Sequence, residues 1–352
     1  VKFGADGAAA AGGFSFAFAN ATEAGDWLET ILEDGNGGTA LYASGVEVDA
    51  AVINGDTLTA YAGGSASGEA VFTLQIETDG DWKFTLLQEL DHDAPESPTT
   101  SQENNLVLNL GDAVRVTDFD GDYLDLSKDA LEVTVIDDVP IEDGTGETGV
   151  VEEEDLTPGN PDATGNPLDT DPTPPVGLIA SGSLTGEVKF GADGAKTGGG
   201  FSFAFDDAGA TTWLATILEN GNGGAALYAS GVEVDAAKIV GDTLTAYAGG
   251  STGEAVFTLQ IKANGDWKFT LLQELDHAAP GDPPPSSEEN NLVLNLGDAV
   301  RATDFDDDSL DLSSDALVVT VIDDVPIEDG TGEKGVVEEE DLTPGNPDAT
   351  GN

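Results

Sequence analysis

No cysteine and no methionine occurs in the 352 residues. Without cysteine there is no disulfide framework, no thiolate chemistry and no cysteine-ligated zinc. Without methionine, and with Val1 in first place, the stretch is expected to be cut from a longer polypeptide. Basic residues are nearly as scarce: 11 Lys and Arg stand against 69 Asp and Glu, a net charge of −58. A nucleic acid needs a basic footprint, so that partner class is excluded, and anionic membrane surfaces fall to the same sign argument. No apolar run approaches the ~18 residues that span a bilayer, so no membrane insertion is expected. Residues 1–30 carry no basic-then-apolar export signal, and any such signal is expected elsewhere in the parent chain.

What remains is enough to fold. Apolar residues make up 39%, and 46 Gly with 16 Pro fall short of a low-complexity composition. The chain is a tandem duplication. Val1–Gly7 recurs at Val188–Gly194, Gly80–His92 at Gly265–His277, and Val133–Pro140 at Val319–Pro326. The changing offset places small insertions near Ala21–Gly25, Ser65–Gly68 and Ala94–Gln102, which therefore read as loops. Six prolines between Pro158 and Pro175, mixed with Gly, Asn, Asp and Thr, read as extended linker. The expected organisation is a first repeat over 1–138, an acidic Pro-rich linker over 139–176, a second repeat over 177–325 and a further linker over 326–352. Val1 aligns with Val188, so a strand foreseen at Leu178–Leu184 has no counterpart in the first repeat.

Within each repeat the apolar pattern has period two. Phe14, Phe16 and Phe18 alternate with small residues, and Phe72-Leu74-Ile76, Trp82-Phe84-Leu86, Leu106-Leu108-Leu110 and Leu131-Val133-Val135 form further stripes. Turn signals separate them, and 69–89 reads as a hairpin. Only Trp27–Leu32 has helical spacing, too short to define a layer. The expectation is all-β: two antiparallel, Ig-like β-sandwiches in tandem.

The sharpest chemical pattern is Thr117-Asp118-Phe119-Asp120-Gly121-Asp122, matched by Thr303-Asp304-Phe305-Asp306-Asp307-Asp308. Carboxylates at alternate positions of a turn can converge on one hard cation, and Ca²⁺ prefers six to eight oxygens. The competing reading is a solvated turn. A second acidic cluster follows the last strand: Asp137, Asp138, Glu142 and Asp143, repeated with Asp323 and Asp324. A cation there would be held by the end of one repeat and the edge loops of its neighbour, fixing the angle between them. The alternative is a flexible acidic joint. Glu152–Asp155 reads as a charge run.

Other motifs fail on context. Gly35–Ala40 resembles a dinucleotide loop, but strand-like residues follow it where a helix is required. His92 and His277, one per repeat, are too few for a zinc site or a nucleophile triad and read as hydrogen-bonding loop residues. With 69 acids, no carboxylate pair can be singled out as a glycosidase dyad. Trp82 and Trp267 lie on apolar stripes and read as core. Nothing points to an enzyme.

The succession Val71-Phe72-Thr73-Leu74, Trp82–Leu86, Leu90-Asp91-His92, the acidic turn, and Val133–Pro140 with its Asp-Asp-Val-Pro exit resembles the tandem repeats of giant RTX adhesins, exported by type I secretion in Gram-negative bacteria. The resemblance implies calcium-stiffened β-sandwich extenders on the extracellular cell surface, which hold a distal ligand-binding domain outward for attachment and biofilm formation. It implies calcium ligands at Asp118, Asp120 and Asp122, with Asp137 and Asp138 at the joint. Where the family has glycine, the second turn has Asp307. The expected partners are neighbouring repeats of the same chain, and the fragment itself is expected to be a monomer. A calcium-dependent glycan- or protein-binding module is the alternative.

Overall fold

The computed structural model describes residues 1–31, 40–92, 105–156, 177–192, 194–217, 226–277, 291–323 and 332–335. Strands dominate, with two short α-helices among the described residues. No helix there is long and apolar enough to cross a membrane.

In the first half, strands Tyr42–Ala43, Val46–Asn54, Thr57–Ala62, Glu69–Ile76 and Trp82–Leu86 form one five-stranded antiparallel sheet. The pleat explains it: along Thr57–Ala62 the residues Leu58, Ala60 and Ala62 are buried and their neighbours are not. Leu106–Asn109 pairs with Glu132–Val135, and Phe14–Phe16 pairs with Val114–Thr117, which pairs in turn with Tyr123–Asp125. The inward faces meet in a single cluster centred on Phe72, Leu74 and Leu108. Each fully buried side chain of that size contributes about 1.5–3 kcal/mol. The second half repeats the plan around Phe257, Phe269 and Trp267, in a separate cluster. The all-β sandwich expectation holds, as does the hairpin over 69–89.

Three local expectations need correction. Ala21–Gly25 is no loop but belongs to helix Ala21–Leu28, because Asn20 caps it by accepting from the amides of Thr22 and Glu23. Glu23 reaches back to accept from the Ala19 backbone amide and the Asn20 side-chain amide, which holds the cap in place. The stretch 139–176 is not all linker. Ile141–Glu142 pairs with Val188–Lys189, and Glu147–Glu152 forms a strand parallel to Leu317–Ile322. The acids had masked Val151, which is fully buried in the second core. Ala94–Gln102 and the proline run 157–176 lie outside the described residues.

The third correction concerns Trp82. Strand Ile179–Ser183 pairs with Asp266–Leu271 and extends the second half's large sheet to six strands. Among the described residues, the first half pairs no counterpart of that strand or of Glu147–Glu152. Trp267 is therefore 2% exposed and Trp82 50%, and Ile322 is 3% exposed against 64% for Ile136. The same sequence stripe is core in one half and open edge in the other.

Candidate metal centre at the junction

Both acidic turns are closed by the same backbone bonds: Asp118 N donates to Asp122 O at 2.9 Å, and Asp304 N to Asp308 O at 3.0 Å. An isolated bridge ties each to the start of its half, Ala8 to Asp118 and Ala195 to Asp304. The fourth turn residue adopts a left-handed φ in both, 97° at Gly121 and 81° at Asp307. Asp307 tolerates it at a cost, with its carboxylate paired to Lys196.

The environments of the turns differ. The first lies open, and Asp120 and Asp122 are exposed. Asp118 Oδ1 is engaged within the turn, accepting from the amides of Gly121 and Asp122 at 3.1 and 2.9 Å. Oxygens of Asp6, Asp118 and Asp120 come within 4.8 Å of one another, and Asp122 does not join them. A hydrogen bond with Asp118, then the charges of Asp118 and Asp122, push the Asp120 carboxyl above its usual range.

The second turn is pressed against the first half. The aromatic ring of Phe305 lies over Gly45, while the aligned Phe119 stands exposed. Asp306 Oδ2 accepts from the His92 amide at 2.8 Å. The Asp306 charge adds to burial in pushing the Asp91 carboxyl up. Here Asp137, at the exit of the first half, meets Asp306 and Asp308, all with ligand oxygens within 4.8 Å. Asp137 is 6% exposed, Asp308 1% and Asp304, two residues before Asp306, 0%. The other Asp306 oxygen, Oδ1, is buried with no hydrogen-bond partner. Like charges at that spacing repel by roughly 3–4 kcal/mol per pair at an effective dielectric near 20. A divalent cation removes that cost, and an all-carboxylate set of hard oxygens suits Ca²⁺. The donor set fits the ion expected from the sequence.

A third cluster brings Glu153, His277 and Asp323 together. Glu153 Oε1 accepts from the Leu275 amide at 2.6 Å and lies 3.2 Å from His277 Nε2. Burial pushes the Glu153 carboxyl up, opposed by His277. With an imidazole among its donors, this set suits Ca²⁺ less well, and the glutamate and histidine satisfy each other.

The other acids picked out by sequence are used differently. Asp138 Oδ2 accepts from the Ala192 amide at 2.8 Å. Glu142 accepts from the amide and hydroxyl of Ser313, and Asp143 pairs with Lys189. These contacts tie the exit of the first half to the second without a cation, and none of the three joins a cluster. Asp324 lies outside the described residues. Asp6, Glu153 and His277 were missed. Glu153 sits in what reads as a charge run, and the Val150-Val151 pair before it is the sign of a strand end.

The profile of a protein family described as a domain of unknown function (DUF5801) matches residues 150–316, which is less than half of the chain. That span opens inside strand Glu147–Glu152 and covers most of the second half. No curated protein and no solved structure matches.

Proposed function

We propose that the chain is a non-enzymatic, calcium-stiffened spacer, part of a large secreted adhesin of the RTX type on the surface of a Gram-negative bacterium. The observation that carries this reading is the meeting of Asp137 with Asp306 and Asp308. One ligand comes from the end of the first half and two from a turn of the second, so a cation held there restrains the angle between them. On the outward-facing turn of the first half Asp118 and Asp120 come together with Asp6, and a preceding repeat would supply the remaining ligand. Repetition of such joints turns a string of sandwiches into a rod, which projects a distal binding domain for attachment and biofilm formation.

Small-angle scattering tests the proposal directly. With calcium the fragment is expected to give the longer maximum dimension, and with chelator a shorter or broader distribution. Superimposable profiles in the two buffers would rule the stiffening role out.

One observation favours the second reading, a calcium-dependent glycan- or protein-binding module: Phe119 and Tyr123 are exposed beside the open turn. The packing of Phe305 over Gly45 gives Phe119 a simpler use, as the plug of a preceding joint. A glycan array with calcium separates the two, since a spacer leaves it blank.

A further inference from the structure

The chain passes from the first half into the second through strand Glu147–Glu152, and the second half's last strand ends at Ile322. These two strands are neighbours and run parallel, in register from Glu147 beside Leu317 to Glu152 beside Ile322. A parallel pairing puts entry and exit at opposite ends of the ladder, where an antiparallel one would put them at the same end. Tension along the chain therefore pulls Glu147 one way and Ile322 the other. Between those points lie five residue steps of ~3.3 Å along the strands, against ~4.8 Å from strand to strand. The line of pull is nearly parallel to the strands, so the ladder is sheared and not peeled. In shear its hydrogen bonds carry the load together; in peeling they fail one at a time.

Side chains oppose sliding. Val151 is fully buried in the second core, and a slip of one residue would turn it outward. A β-carbon built on Gly149 would stand 2.8 Å from Trp267 Cη2 and 2.7 Å from Ala180 Cβ, so the strand is closely fitted there. Glu147 Oε2 accepts from Trp267 Nε1 at 3.2 Å, and Glu153 Oε1 accepts from the Leu275 amide at 2.6 Å. The contacts upstream are slighter. Ile141–Glu142 makes two residue pairs with Val188–Lys189, and the Asp143–Lys189 ion pair is half exposed. They yield first and pass the load to Glu147. Residues 157–176 lead from Glu147–Glu152 towards Ile179–Ser183 of the same half, so the load crosses to Leu317–Ile322 without passing through them.

We propose that Glu147–Glu152 and Leu317–Ile322 form a mechanical clamp, which keeps the second half folded when the chain is pulled lengthwise. That tension acts on it in use rests on the adhesin reading. The clamp itself rests on strand order, and needs neither that reading nor calcium.

Single-molecule pulling of the full chain, in calcium and in chelator, tests it. Pulled through its ends, the chain is expected to release the second half in one step of about 600 Å, longer than the step of the first half. A chain carrying Thr145→Cys and Ser314→Cys, pulled through the two introduced thiols, loads the ladder from one end only. Both positions are exposed, lie just before Glu147 and Leu317, and meet no competing native cysteine. Rupture is then expected at a several-fold lower force in both buffers, while the same variant pulled through its ends matches the unsubstituted chain. Equal forces in the two geometries overturn the proposal. So does an early low-force step of about 100 Å in the end-to-end pull, the length of 147–178, since the strand would then come away alone. Scattering profiles that calcium leaves unchanged would remove the stiffening role without altering this force ratio.

Discussion

The backbone amide of His92 donates to Asp306 Oδ2 at 2.8 Å across 214 positions of sequence. The bond fixes a turn of the second half onto the stretch that follows hairpin strand Trp82–Leu86 in the first. Asp306, whose Oδ1 is buried without a hydrogen-bond partner, meets Asp137 and Asp308 there. The repeat alignment places His277 and Asp323 where His92 and Asp137 lie. The two buried clusters are therefore views of one position in the repeat. In the first half it is approached by the turn that follows, and in the second by the segment that precedes.

Removing a buried carboxylate from the junction should have opposite effects with and without calcium. Calcium at ~100 times its dissociation constant stabilises a folded state by about 2.7 kcal/mol. Asp308→Asn is expected to lose most of that gain, while in chelator it stabilises or is neutral because one buried charge is gone. Asp120→Asn, on the open turn, should lose less. Calorimetric melts along a calcium titration measure all three, and equal calcium-induced gains would take Asp308 out of the site.

The pH dependence should reverse with metal. Asp298 is pushed above its ordinary value by burial, opposed by a 2.6 Å bond from Trp213 Nε1, and burial raises Glu153 likewise. A carboxyl raised in the folded state is more readily protonated there, so stability falls as pH rises from the ordinary value through the raised one. In chelator, acidification from neutral to pH ~5 is therefore expected to raise the melting temperature. Asp56, Asp125 and Asp242 are lowered by hydrogen bonds and stay ionised over that window, so they do not oppose it. With calcium bound, the same acidification competes with the ion and lowers the melting temperature. A melting temperature that falls on acidification in chelator as well would remove the burial argument.

Asp307→Gly should stabilise the second half. The left-handed φ of 81° costs a non-glycine residue about 1–2 kcal/mol, and the pair lost with Lys196 is half exposed and worth less. A gain of about 0.5–1 kcal/mol in urea unfolding is expected. A loss would mean that the lysine contact outweighs the strain.

The paired tryptophans give an internal control. Trp267→Ala opens a cavity in a closed core and is expected to cost about 3–5 kcal/mol. Trp82→Ala, at a half-open edge, should cost well under half of that. Chemical denaturation of both variants distinguishes them, and equal losses would show that the edge at Trp82 is covered in solution.

The fold was largely legible because a sandwich core is written locally. Period-two stripes such as Phe72-Leu74-Ile76 select the strand and its buried face whatever lies beyond them. The helix was misplaced because its start depends on the Asn20 cap and Glu23, not on apolar spacing. Of the candidate ligands, Asp137, Asp306 and Asp308 converge, while Asp138, Glu142 and Asp143 are taken by amides, a hydroxyl and a lysine. Composition could not separate the two sets, since all six are acids in acidic stretches.

Sequence by itself determined the β architecture, the duplication, the strongly acidic balance and the absence of cysteine, because alternation, repetition and composition are properties of neighbouring residues. Tertiary structure alone decided which acids lose their water. The turn at Asp118 and the turn at Asp304 are near copies, yet one is open and the other sealed against His92 and Gly45. Desolvation is set by what packs on a group from outside its own segment, so a repeated sequence can present a solvated loop at one position and a buried anionic site at the next.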